Sequence, residues 1–258
     1  MTDTTIRLDK HLANLGLAPR RGVEKLLQKS NLTVNGKRIT EPGTRIHIKD
    51  TILFNGKRVQ KPQMVYFLLN KPKHIISTVE DEFGRTNVTH LIHSKERIFP
   101  VGRLDRDTTG LILLTNDGGL TNLLTHPRYH IPKIYELVIR GTVTNNQLEP
   151  IRTGVVLEDG QTAPAKAKIT GHTPTGTRIE VTLFEGKKRQ IRRMCEALGL
   201  KLISLTRISL GPLKLDGLKE GEYRKLSKKE VDGLRKQTER NAPLKPLGKQ
   251  FHPLEKKK

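Results

Sequence analysis

The sequence predicts an α+β fold in parts. A small domain spans residues 1–58, and a larger one, over 59–232, is built on a mixed, mainly antiparallel sheet with flanking helices. A basic tail follows over 233–258. Three observations carry this. Beyond residue 59, strand-like segments dominate and helical ones are interspersed without strict alternation, which argues against a doubly wound sheet. Before it, two Asn-Gly pairs each lie between strand formers. The chain's 258 residues leave room for one large or two modest domains.

Arg7 to Leu15 reads as a short helix, with Leu8, Leu12 and Leu15 at helical spacing and Gly16 where a helix stops. Pro19 fits the first turn of a second helix, where its missing N–H costs little. Val23, Leu26 and Leu27 form the apolar face of that helix, and Arg20, Arg21, Lys25 and Lys29 lie mostly on the others. Leu32-Thr33-Val34 and Lys37-Arg38-Ile39 flank Asn35-Gly36; Leu53-Phe54 and Lys57-Arg58-Val59 flank Asn55-Gly56. The favoured two-residue hairpin turn needs positive φ at both central positions, which Asn and Gly tolerate.

In the larger domain Val65 to Leu69 is a buried strand by composition, ended by Asn70-Lys71-Pro72. Arg97 to Val101 leads into a polar loop, Gly102 to Gly110, and Leu111 to Thr115 is the next strand. Asn116-Asp117-Gly118-Gly119 opens a helix through Leu124. Tyr135 to Arg140 and Arg178 to Leu183 alternate as strands do. Lys188 to Leu198 reads as a helix closed by Gly199, and Lys201 to Leu205 as a strand.

Lys and Arg number 48 against 26 Asp and Glu, a formal net charge of +22. Such a charge points to a polyanion, with nucleic acid the first candidate and an acidic membrane surface the second. Residues 1–58 hold 12 basic and 5 acidic residues (net +7), 59–232 hold 28 and 19 (net +9), and 233–258 hold 8 and 2 (net +6). Charge is therefore densest at the ends. No apolar run approaches the roughly 18 residues of a membrane span, and no signal-peptide core follows Met1. The single cysteine, Cys195, excludes an internal disulfide framework and a cysteine-built metal site and suits a reducing cytoplasm. The last stretch, GLRKQTERNAPLKPLGKQFHPLEKKK, has three prolines and no periodicity; it is expected to be disordered and to hold RNA by phosphate attraction.

Two stretches carry candidate chemistry. Segment 102–110 places Asp105 and Asp107 in a loop beside Arg103 and Arg106. This is either turn chemistry with a surface salt bridge or a carboxylate kept ionised by its neighbours for nucleophile or base work. Farther on, Glu185 to Met194 packs five cations into seven positions at the start of an amphipathic helix, with Ile191, Met194 and Leu198 facing inward. Tyr135, at a strand start, is either a core aromatic or a ring to stack on a base. His126 and His130 are four apart, but Pro127 breaks the shared turn and no metal-ligand pattern emerges. Aromatics make up only 4% of the chain, which argues against a long stacking groove.

The segment RLDKHLANLGLAPRRGVEKLLQKSNLTVNGKRI resembles the small RNA-binding module named after the fourth ribosomal small-subunit protein. The resemblance implies RNA-backbone contacts from Arg7, Lys10, Arg20, Arg21 and Lys25. Pro19 departs from the Ser or Thr common there. The series LLNKP, RIFPVGRLDRDTTGLILLTNDG, THPRY, KIYELVIRG and LFEGKKRQIRRMCEALG resembles the bacterial rRNA pseudouridine synthases of the small-subunit-type branch, which includes large-subunit enzymes. With the N-terminal module, the resemblance covers about residues 6–226.

The resemblance implies isomerisation of uridine to pseudouridine in ribosomal RNA, most of all large-subunit rRNA, with no cofactor and no metal. The glycosidic bond is cut, the base turns, and it is rejoined through carbon 5. Asp105 of GRLD is implied as the catalytic carboxylate, which attacks the ribose, attacks the base or assists glycal formation. Tyr135 packs on the base and helps remove the carbon-5 proton, and Arg192, last in RQIR, pairs with Asp105 in a bidentate fork. Lys71, Arg103, Arg106 and Arg189 join the RNA-binding set, with Arg103 filling the space the flipped base leaves or holding phosphate. Asp107 is outside the pocket, and Arg193 is expected on the outer face, serving RNA affinity alone. The implied partner is ribosomal RNA or an assembling ribosomal subunit, with the chain a monomer. The rival readings are a non-catalytic RNA binder or assembly factor and, more weakly, a metal-dependent nuclease. A pure binder has no need of GRLD, KIY and RQIR together.

Overall fold

A computed structural model describes residues 4–79 and 81–241. The N-terminal unit runs β1 (Thr5–Arg7), α1 (Leu8–Asn14), α2 (Val23–Lys29), β2 (Leu32–Val34), β3 (Lys37–Arg38), β4 (Arg45–His47), β5 (Ile52–Phe54) and β6 (Lys57–Arg58). Strand β1 pairs with β4, and β3-β2-β5-β6 form a four-stranded sheet. Both expected hairpins are there, with Asn35, Gly36, Asn55 and Gly56 all at φ between 50° and 82°. Leu8, Leu12, Val23, Leu27 and Leu32 close one core. Pro19 is not in the first turn of α2 as expected: it precedes a short 3₁₀ turn at Arg20–Gly22 that leads into α2 at Val23.

The larger unit contains β7 (Tyr66–Lys71), β8 (Phe99–Pro100), β9 (Thr109–Thr115), α3 (Gly118–Thr125), β10 (Lys133–Arg140) and α4 (Glu149–Thr153). There follow β11 (Val156–Leu157), β12 (Gly160–Gln161), β13 (Lys166–Thr173), β14 (Gly176–Leu183), α5 (Gln190–Ala197), β15 (Leu202–Leu210), β16 (Leu213–Lys214), β17 (Tyr223–Lys225) and α6 (Lys228–Arg240). The main sheet has the order β13-β14-β10-β15-β9-β7-β17, with β16 beside β15 and β8 beside β9. Among the described strand pairs of this sheet, β9 with β15 is the parallel one. The fold is thus α+β on a mixed, mainly antiparallel sheet.

Strand β9 shows why its sequence does not alternate: all seven residues are buried. Leu111 and Leu113 pack under α3 and α6, and Ile112 and Leu114 pack with Phe67, Leu69 and Leu104 on the opposite face. Two covered faces demand a continuous apolar run. Gly110 is where β9 meets β15; a Cβ there would collide with the backbone nitrogen and carbonyl oxygen of Arg207, and its φ of +104° suits glycine.

The expected disordered tail is corrected over its first residues. Helix α6 crosses the 232/233 boundary and runs through Arg240, with Leu234 fully buried beside Val231. Ser227 and Glu230 form a capping box at its start. Val231 and Leu234 lie at helical spacing on either side of the expected 232/233 boundary. Arg235 then ties α6 to α3, since its Nη2 lies 2.5 Å from Oδ2 of Asp117, which caps α3. Residues 242–258 lie outside the described residues. Leu234→Ala is expected to cost about 2–5 kcal/mol, as cavity-forming core truncations do; a thermal melt within experimental error of the parent would show that α6 is peripheral.

Candidate active site

A cleft of about 550 Å³ opens over the centre of the sheet, walled by the loop 101–105, by β10 and β15, and by the segment 183–192 that leads into α5. Asp105, Tyr135 and Arg192 all line it, as do the exposed Arg103 and Arg189.

The Asp105 loop is held from three sides. Lys71 at the end of β7 is fully buried, and its Nζ donates to the carbonyls of Pro72, Ile75 and Arg106 at 2.8, 2.8 and 3.2 Å. Ser77 Oγ donates to the Leu104 carbonyl at 3.0 Å and accepts from the Leu104 amide at 3.2 Å. Arg192 Nη2 donates to the Asp107 carbonyl at 3.0 Å and to Thr108 Oγ1 at 3.2 Å. Within the loop the Thr108 amide donates to the Asp105 carbonyl at 3.0 Å. A loop fixed in this way presents its carboxylate without further reorganisation.

Lys71, expected among the RNA-contacting cations, is instead fully buried and cross-links the backbone beneath the loop. Burial pushes its ammonium down to about 8, with Asp107, Glu220 and Asp105 pulling the other way. Lys71→Met keeps the volume and leaves the carbonyls of Pro72, Ile75 and Arg106 without their donor. Turnover is expected to fall at least about tenfold while RNA affinity holds; a loss confined to affinity would return Lys71 to the RNA surface.

Arg192 reaches Asp105, but not as a bidentate fork. Its Nε stands 3.7 Å from Asp105 Oδ2 and is buried with no hydrogen-bond partner, because Nη2 is committed to the loop backbone. One guanidinium thus supplies charge to the carboxylate and anchorage to its loop. Asp107, two residues on, does not line the cleft; its Oδ1 lies 3.4 Å from both His74 Nδ1 and Arg106 Nε. Arg106 is exposed on that side.

Helix α5 starts at Gln190, two residues later than expected, because Arg189 takes a left-handed conformation with φ of 50°. Gln190 is buried and organises the turn: its Nε2 donates to Glu185 Oε1 at 2.7 Å and its Oε1 accepts from the Lys187 amide at 3.0 Å. Arg193 is corrected from a free surface cation to a tether. Its Nη1 and Nη2 grip Asp159 at 2.7 and 3.1 Å, and Lys187 Nζ donates to the Asp159, Gly160 and Gln161 carbonyls at 3.0–3.3 Å. The β11–β12 hairpin is pinned to α5 by these contacts.

Tyr135 is partly buried and packs against the cores on both sides of it, yet it faces the cleft. Beside it stand two cleft residues that sequence reasoning missed, Lys133 and Arg207. Burial first, and then the nearby Arg207, push the Lys133 ammonium down to about 8, while Glu185 acts in the opposite direction. The K in KIY was visible; Arg207 had no motif to mark it, lying beyond the point where the expected strand ended. On the N-terminal unit Arg7, Lys10, Arg20, Arg21 and Lys25 are all exposed. A buried Asp9 gathers two of them, with Arg7 Nε at 3.2 Å and Arg20 Nη2 at 3.1 Å. Among the described residues no group of three His, Cys, Asp or Glu is placed to hold a metal ion.

The sequence profile of the family described as RNA pseudouridylate synthase matches residues 65–197, the stretch that builds most of the cleft. The chain belongs to the RNA pseudouridine synthase family. The S4 domain profile matches residues 6–52 of the synthase, which makes its N-terminal unit an RNA-binding module. A Bacillus subtilis protein named ribosomal large subunit pseudouridine synthase B is 43% identical over 89% of the synthase and 95% of its own length. A Salmonella typhi protein named dual-specificity RNA pseudouridine synthase is 34% identical over 96% of the synthase and 86% of its own length. A solved pseudouridylate synthase crystal structure superposes with a TM-score of 0.64 at 31% identity, covering 89% of this chain and 99% of that one.

Proposed function

We propose that this synthase isomerises a uridine of ribosomal RNA, specifically large-subunit rRNA, and that it does so through Asp105 without cofactor or metal. What supports the reading is the convergence of Asp105, Tyr135 and Arg192 on one cleft, together with the large-subunit name of a relative that aligns over 95% of its own length. Substrate and product contain the same atoms, so no outside group or electron is required. The target base leaves its stack, at a cost of a few kcal/mol, and Arg103 at the rim fills the space or holds a phosphate. Tyr135 packs on the base that enters and helps take the carbon-5 proton. Arg189 and Arg106 meet the RNA backbone around the cleft, and Arg7, Lys10, Arg20, Arg21 and Lys25 extend the contact over the N-terminal unit. The partner is ribosomal RNA, free or in an assembling subunit, met by a monomer in the cytoplasm.

The test is a map of pseudouridines in both rRNAs from cells with and without this chain. Loss of one pseudouridine from large-subunit rRNA, restored by the purified protein on the unmodified transcript without added metal or cofactor, is the expected result. Loss from small-subunit rRNA or from tRNA alone would move the substrate, and unchanged maps would sink the reading.

A further inference from the structure

Strands β10 and β15 pair with a break in register: Ile134 faces Ser209, but Tyr135 faces Arg207. In unbroken register Tyr135 would face Ile208. A bulge of this kind re-aims a side chain, and here it sets Arg207 directly across from Tyr135 on the cleft side of the sheet. Arg207 is 2% exposed. Its Nε donates to the Leu111 carbonyl at 2.7 Å, and its Nη2 is buried with no hydrogen-bond partner. Among the described residues no carboxylate pairs with it, and the next cation along the wall is Lys133. A buried guanidinium with an unused donor beside a second cation costs folding free energy. Such an arrangement persists where a negative charge arrives to use it.

We propose that Arg207 is a further catalytic residue, taking up the negative charge that uracil carries on its carbonyl oxygens while detached from the ribose; this rests on the isomerisation reading above. Phosphodiesters are met at the rim, where Lys188 and Arg189 are exposed, whereas Arg207 is reached only by a group that enters the cleft. The reaction places a base there and charges it. When the N1–C1′ bond breaks, its electron pair stays on the base, shared by N1 and the carbonyl oxygens, and the Asp105 carboxylate bonds to the electron-deficient C1′. After the base turns, C5 displaces that carboxylate from C1′, the C5 proton departs and N1 gains one. The charge on the base exists only between the two bond events, so a fixed cation favours the detached base over the bound uridine.

The experiment measures loss of the N-glycoside in single turnovers at saturating RNA. The RNA fragment carries uridine or 5-fluorouridine at the target, and the proteins are the parent, Arg207→Gln and Arg207→Lys. Fluorine makes the base a better leaving anion, so it substitutes for part of the lost stabilisation. Arg207→Gln is expected to slow the uridine substrate about a hundredfold at near-parental Kd, and the deficit to shrink about tenfold on 5-fluorouridine. Arg207→Lys, which keeps the charge but not the planar fork, should fall between. Equal deficits on both substrates would overturn the assignment, since an arginine that merely supports the sheet slows both alike. A weaker Kd with a shallower salt slope and an unchanged rate would also overturn it, placing a phosphate on Arg207 instead. If thermal melts show Arg207→Gln unfolded, the comparison of the two substrates rests on Arg207→Lys. A parent protein that cleaves neither substrate would fell the isomerisation reading itself, and this assignment with it.

Discussion

Asp105→Asn is expected to abolish isomerisation, lowering the single-turnover rate by at least about ten-thousand-fold, as loss of a carboxylate on which bond cleavage depends does, while RNA affinity stays near that of the parent. Asparagine has the shape of aspartate, and the hydrogen bonds that hold the loop run through the backbone of Leu104, Arg106 and Asp107 and through Thr108, not through the Asp105 side chain. The substitution therefore removes the carboxylate and leaves its mounting. Asp107→Asn is the control, because Asp107 points to His74 and Arg106 and is absent from the cleft wall. A measurable rate in purified Asp105→Asn on its cognate rRNA would exclude Asp105 as nucleophile. An equal loss from both variants would revive a two-carboxylate mechanism.

Arg192→Leu comes next in size, with an expected loss of about a thousandfold. Two hydrogen bonds to the loop disappear, at about 1 kcal/mol each, and Asp105 loses its cation. A fully buried pair broken on one side costs roughly 3–5 kcal/mol, but the Asp105 side chain is 34% exposed and solvent screens part of this. Where the bound complex must restore the loop and the charged carboxylate before it reacts, these losses add to the barrier and come to about 4 kcal/mol, the thousandfold stated. Arg192→Lys is expected to do better: it keeps a charge near Asp105 but cannot bond both the loop and the carboxylate. Arg193→Leu releases the β11–β12 hairpin through Asp159 and should reduce stability more than the rate of a folded, RNA-saturated enzyme. Single-turnover rates and melts for the three variants decide this. An Arg193→Leu rate as low as that of Arg192→Leu would mean that the hairpin, not only α5, shapes the cleft.

Local chemistry carries far in this protein. Asn-Gly turns declare both hairpins because so few residue pairs accept positive φ twice in succession. The run LILLT declares a strand, and packing adds that both of its faces are covered. GRLD, KIY and RQIR mark three cleft residues because each lies in a long segment whose order along the chain is itself informative. The charge layout separates a basic head from a more neutral body.

Tertiary packing decided the rest. Residue type says that Lys71 is a cation and cannot say that three carbonyls and a closed core surround it; burial converts an RNA contact into a cross-link. The same holds for Arg193, whose partner Asp159 is distant in sequence, and for Arg192, whose fork is divided between a carboxylate and a loop. Arg207 faces Tyr135 through a one-residue bulge between strands some seventy positions apart, a register that no local pattern records. Helix α6 became visible only where α3 and the sheet offered Leu234 a place to be buried. The sequence determined by itself which groups this protein carries and where the chain turns. Which of its many cations face RNA, which face Asp105 and which hold the backbone depended on the neighbours that folding brings within hydrogen-bond reach, because a charge acquires its role from what surrounds it.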